Sequence, residues 1–140
     1  MATILQILNA DRSLSLFNKG LKATGLDAKM NEIGPFTILG PVNLALGRLM
    51  SPTYEQLLEP ANSSRLMDFL MGYILTGKKM LSDFRHNQQL PAMDGKMVLV
   101  DTANSDVRIN GSKILARDRQ GSNGVIHLLD TTYNVAQPVG

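Results

Sequence analysis

The sequence has no cysteine and no tryptophan, and only 5% of its 140 residues are aromatic. Without cysteine there is no disulfide framework, no thiolate catalysis, and no Cys-ligated zinc or iron–sulfur site. The chain is long enough to do without such staples. A domain of this length buries roughly 68–70% of the surface its unfolded chain exposes. It also lacks a run of about 18 apolar residues, so no segment has the length of a membrane-spanning helix. The N-terminal stretch "MATILQILNADRSLS" is interrupted by Gln6 and ended by Asn9, Asp11 and Arg12. Its apolar core falls short of the ~7–15 residues of a secretory h-region. Net charge is small too. Fourteen Lys and Arg face twelve Asp and Glu, for a formal charge of +2. That balance, together with the scarcity of stacking aromatics, argues against a nucleic-acid partner.

What is present divides the chain near its middle. Residues 1–86 read as short helices with strand fragments between them, and residues 94–135 as strands with glycine turns. Leu14, Phe17, Leu21 and Leu26 mark one helical face, stopped by Gly25. In "SPTYEQLL", Ser51 is placed to cap a helix whose first residue is Pro52, where no N–H is needed. Asn62 is the expected cap of the next helix. Leu66, Phe69 and Leu70 form its apolar stripe, and Gly72 ends it. Residues 73–75 read as extended, and Asp83 and Phe84 as a short helical turn. Asp94-Gly95 is a turn before a strand. Asn110-Gly111 joins two strands in a hairpin, because both residues tolerate positive φ. In "GVIHLLD", Val125, His127 and Leu129 alternate with Ile126 and Leu128. Apolar residues on both faces imply a central strand covered on both sides. His127 is therefore expected inside.

A serine, a histidine and an aspartate (Ser122, His127 and Asp130) invite a catalytic reading. No G-x-S-x-G turn supports it, and a buried strand is a poor place to meet a substrate. A core imidazole with its own hydrogen-bond partners is the better expectation, since leaving it unpaired costs about 1–3 kcal/mol. His86 and His127 show no metal-ligand spacing, and Asp94, Asp101 and Asp106 read as turn residues. There is neither a G-x-G-x-x-G nor a G-K-[ST] phosphate loop. The basic stretches "GKK" (77–79) and "ARDRQG" (116–121) read as solvated surface. Met67, Met71, Met80, Met93 and Met97 are expected to fill gaps in the core. Asn62-Ser63-Ser64 and Asn110-Gly111-Ser112 are glycosylation acceptors only in a glycosylating cell.

Two stretches then line up with a known family. "GPFTILGPVNLAL" (34–46) resembles the first signature of fasciclin domains, commonly G-P-F-T-V-F-A-P-T-N-x-A-F. "SNGVIHLLD" (122–130) matches the second, N-G-V-I-H-V-I-D, almost residue for residue. The stretch between them, "LLEPANSSRLMDFLMGYILTGKKMLSDF", has the family's order: a helix, a tyrosine-led strand, a glycine-lysine turn and a short helix. The resemblance covers nearly the whole chain as one domain, 1–140. It implies an α+β fold, in which a wedge-like β-sandwich carries several short helices and the two signatures lie on adjacent core strands. The signature residues are Phe36, Thr37, Pro41, Asn43, Asn123, Gly124, His127 and Asp130. Asn43 is expected to bond nearby backbone and fix the turn into its own helix. The family commonly has Tyr-His where this chain has Tyr73-Ile74, and that dipeptide is linked to integrin binding in animal members. The departure puts an animal-type adhesion surface in doubt.

The resemblance implies a non-catalytic adhesion or interaction domain without a cofactor. Its expected partner is a protein or glycan of the matrix or cell surface, met in tandem copies within a longer parent. The implied setting is extracellular, at the cell surface, or periplasmic, with a leader absent from residues 1–140. Tyr73, Lys78 and Lys79 are the candidate binding residues. The second reading is a small-molecule or lipid-binding domain, motivated by the methionine-rich apolar content. It requires a closed apolar pocket of a few hundred Å3 between helices and sandwich.

Overall fold

The computed structural model describes residues 2–32, 34–50, 52–104 and 106–133. Its spine is a parallel pair of strands, β1 (Phe36–Pro41) and β7 (Gly124–Leu129), in register over six positions from Phe36↔Gly124 to Pro41↔Leu129. These are the two signature stretches, and every residue in both strands is buried. Side chains alternate across a strand. Ile38, Gly40, Ile126 and Leu128 therefore share one face, and Thr37, Leu39, Val125 and His127 share the other.

Among the described residues, five further strands complete one sheet: β2 (Ile74–Thr76), β3 (Gln89–Pro91), β4 (Met97–Asp101), β5 (Arg108–Ile109) and β6 (Ser112–Gly121). Their order is β2-β1-β7-β6-β5-β4-β3. The sheet does not stay flat. β6 has irregularities between Ile114 and Ala116 and between Ala116 and Arg119. Such bulges bend a strand and increase its twist. The sheet curls until its two outer strands meet, where Leu75 bridges Ala92 and Met93 N–H donates to Ile74 O. This curled sheet is the sandwich, with its core between the two halves.

Among the described residues, six α-helices pack outside the sheet: α1 (Ile4–Ala10), α2 (Ser15–Thr24), α3 (Leu26–Met30), α4 (Asn43–Gly47), α5 (Tyr54–Leu57) and α6 (Ser63–Met71). α2 and α6 pack on each other. Phe17, Leu21, Leu66, Phe69 and Leu70 are buried there, as the 3.6-residue spacing predicts. Gly25, at φ 77°, ends α2, a left-handed conformation that glycine adopts without strain. Asn110 and Gly111 have φ 49° and 88°, the positive pair that a two-residue hairpin requires.

Several local expectations change. α5 starts at Tyr54, not at Pro52. Thr53 caps it through its Oγ1, and Gln56 returns the bond to Thr53 N–H. This reciprocal T-x-x-Q box satisfies two helix-end donors at once, while Ser51 lies outside the described residues. Asn62 does precede α6, but its Nδ2 donates to Gln56 O instead of capping the helix's own N–H groups. Met67, Met71 and Met93 pack against the core, whereas Met97 is 52% exposed. Met97 sits on the outer face of β4, alternating with buried Val98 and Val100.

Candidate interaction site

Asn43 does not fix its own turn. Its Oδ1 accepts Leu16 N–H at 2.9 Å, and its Nδ2 donates to Arg12 O and Ser15 Oγ. α2 has no capping side chain of its own, so Asn43 supplies that cap from 27 residues away. Asn123 works in the same way at the other signature. Its Oδ1 accepts Ile4 N–H, and its Nδ2 donates to Met30 O. One amide thus joins α1 and α3 to the start of β7. Asp130 accepts Lys113 N–H at 2.9 Å and ties β7 to β6. Gly124 has no room for a side chain, because a Cβ there would run into the Phe36 carbonyl. Phe36 and Pro41 bound β1 and are buried with it.

The face of β1 and β7 away from the helices is covered by residues 77–81, which we term the strap. Thr37 Oγ1 donates to Gly77 O at 2.7 Å and accepts Lys79 N–H at 2.8 Å. His127 Nε2 is 2.7 Å from Lys79 O. A carbonyl only accepts, so Nε2 carries the hydrogen. Nδ1 in turn accepts Asp118 N–H at 3.1 Å. The Asp118 carboxylate accepts Leu81 N–H at 2.8 Å. Thr37, His127 and Asp118 therefore hold three consecutive parts of the strap by its backbone. The imidazole is fully buried. Burial pushes its pKa down, partly offset by the Lys79 carbonyl and the Asp118 charge. Neither ring nitrogen is left to activate a serine hydroxyl.

Asp118 is the residue that sequence reasoning missed. It lies inside "ARDRQG", which reads as exposed basic surface. In the structure it occupies the β6 bulge opposite His127, with φ 57°. Aspartate is among the few residues that adopt that region readily. The bulge turns it toward the strap, and no linear motif announces this.

The three candidate binding residues separate. Tyr73 is fully buried. Its ring lies 4.5 Å from that of Tyr133 and 5.3 Å from that of Phe69, and its hydroxyl accepts Tyr133 N–H. Tyr73 is a core anchor and cannot touch a partner at the surface. Ile74, where the family commonly has histidine, is also fully buried. Lys78 is exposed at the top of the strap, with Nζ 2.7 Å from Gln120 Oε1. Lys79 is half-buried, its backbone held by Thr37 and His127.

Asp94 and Asp101 cap turns through Lys96 N–H and Ala103 N–H, and Asp106 pairs with Arg108 and Lys113. Among the described residues, no three His, Cys, Asp or Glu side chains gather as a metal site. Depressions of about 410 and 330 Å3 open to solvent. The larger is lined in part by Thr3, Asn31, Glu32 and Ser122.

The two signature strands pair at the centre of the curled sheet, and the side chains of Thr37, Asn123 and His127 are spent on backbone groups. The chain belongs to the fasciclin domain family, whose pattern matches residues 12–133. It is 27% identical to the Synechocystis protein sll1483 over 91% of this chain and 71% of that protein. It is 24% identical to pig transforming growth factor-beta-induced protein ig-h3, over 94% of this chain but only 19% of that protein. Its fold matches a FAS1 domain pair from the insect cell adhesion molecule fasciclin I with a TM-score of 0.82, at 19% identity. That match covers 94% of this chain and 50% of the insect chain. No helix among the described residues is long and apolar enough to cross a membrane.

Proposed function

We propose that this chain is a non-catalytic interaction domain that takes a protein or glycan partner outside the cytoplasm, in the matrix or at a cell surface. The observation that carries the reading is the division of labour around the strap. Thr37, His127 and Asp118 are consumed in holding its backbone, while Lys78 is left facing solvent. Rigid backbone beneath an exposed cation limits the entropy lost when a partner docks. Tandem display beside further domains in a longer parent would add avidity to a weak single contact. The lipid-binding alternative needs a closed apolar cavity, and it draws no support from depressions that open to solvent.

The test is attachment. Cells or matrix glycans should be retained by a surface coated with the domain. The double variant Lys78→Glu, Lys79→Glu should lose that retention with its melting temperature unchanged. Equal retention by both proteins would remove the strap from the reading. Removal of the whole domain from its parent without effect on attachment would remove the reading itself.

A further inference from the structure

We propose that His127 and Asp118 form an acid-sensitive latch on the strap, shut while the imidazole is neutral and opened when it takes a proton. The argument starts from the tautomer. The Lys79 carbonyl requires hydrogen on Nε2, and the Asp118 N–H requires a lone pair on Nδ1. A second proton at Nδ1 would set two N–H groups against each other across 3.1 Å. The ring is fully buried, so no bulk water can take the new hydrogen.

Among the described residues, the charged group beside the ring is the Asp118 carboxylate. Asp118, from β6, has Oδ1 3.9 Å from Nδ1. Lys79, from the strap, presents its carbonyl. Leu39, opposite on β1, and the Phe84 ring, 5.6 Å away, are uncharged. The acceptor within reach of a protonated ring is therefore the Asp118 carboxylate. That same Oδ1 already accepts Leu81 N–H. Closing that 3.9 Å gap to a hydrogen bond draws the carboxylate away from Leu81 N–H. If the carboxylate stays, the imidazolium has no acceptor at Nδ1 and is driven from its site, releasing Lys79. Each route weakens one anchor. The Thr37 bonds to Gly77 and Lys79 contain no titrating group, so opening begins at residues 79–81 and not at 77.

The sign follows from burial. The folded ring binds a proton less readily than the free side chain, for which the pKa is about 6.5. The latch is fully shut above that value and loses hold as pH falls through the window beneath it. Acid would thereby disorder the surface that carries Lys78 and Lys79. That consequence for binding rests on the function proposed above; the latch itself does not.

The experiment is amide hydrogen exchange on the full chain from pH 7.5 to 5, each rate corrected for its intrinsic pH dependence. The amides of Leu81 and Asp118, bonded to the Asp118 carboxylate and to His127 Nδ1, should lose protection by up to roughly tenfold per pH unit below 6.5, the linkage expected when opening frees one histidine. Leu39 and Val42, bonded to Tyr73 O and Leu129 O, should keep theirs. His127→Gln still donates to a carbonyl but takes up no proton in this range, and should give a flat profile. His86→Gln should leave the wild-type profile intact. If His127→Gln fails to fold, the wild-type titration decides alone. Unchanged protection at Leu81 and Asp118 down to pH 5 overturns the latch. So does loss of protection at the strap and at Leu39 and Val42 together, because acid would then act on the fold as a whole. None of these readings involves a partner, so failure of the latch and failure of the binding proposal remain distinct.

Discussion

The two faces of the β1–β7 pair are held by different physics. On the helix side, Ile38, Gly40, Ile126 and Leu128 meet apolar groups, and a Cβ on Gly40 would lie 3.1 Å from the Leu14 side chain. Contact there is non-directional and scales with the area removed from water. On the strap side, Thr37, His127 and Asp118 hold a segment by hydrogen bonds whose donors and acceptors admit one arrangement. The helix side has many small contributions and no titrating group in its register. The strap side has few bonds, and one of them depends on a proton. Stability is therefore concentrated on the first face and control on the second.

Substitutions can break or sharpen that contrast. Ile126→Ala should have the largest effect, about 2–5 kcal/mol of lost stability for a large-to-small change in a packed core. Denaturant titration would show it as a lower midpoint, and strap exchange relative to the core should keep its wild-type pH profile. Thr37→Val should cost about 1–3 kcal/mol, because Lys79 N–H and Gly77 O lose a buried partner. Its signature is local: amides at residues 77–79 should exchange faster at every pH. If Ile126→Ala loosens the strap as much as Thr37→Val does, the two faces are not separate units. Asn43→Ala should cost about 0.5–2 kcal/mol as the loss of a helix cap. The Leu16 amide on α2 should then exchange faster, with the strap unaffected. Lys78→Ala should change stability by less than about 0.5 kcal/mol, since Lys78 is exposed and its bond is to another surface side chain, Gln120. A thermal melt checks this. A larger drop would mean that Lys78 helps hold the strap as well as displaying a charge.

Legibility in the sequence followed the range of the interaction. The unbroken apolar alternation of "GVIHLLD" marked a central strand, and β7 is buried along its length. Gly25, Asn110 and Gly111 marked a helix end and a hairpin through their own φ values. The T-x-x-Q box at Thr53 is equally local, with both of its bonds inside one helical turn, and it lies just past the Ser-Pro pair that also fits a helix start. The candidate site was less legible. Tyr73 is a surface candidate by its place in a family motif, yet three aromatic rings, those of Phe17, Phe69 and Tyr133, meet around it in the core. Asn43 looked like a local turn-former, yet its partners lie 27 to 31 residues away. Asp118 looked like one charge among arginines.

The sequence by itself determined which strands are central, where the tight turns fall, and which family the chain resembles. These depend on periodicity and on backbone preferences, which act over a few residues. The tertiary structure alone decided what the polar signature residues are for. His127 draws its partners from 9 and 48 residues away, on a bulged strand and on the strap. A hydrogen bond is specified by the position of both ends, and only the folded chain brings these ends together.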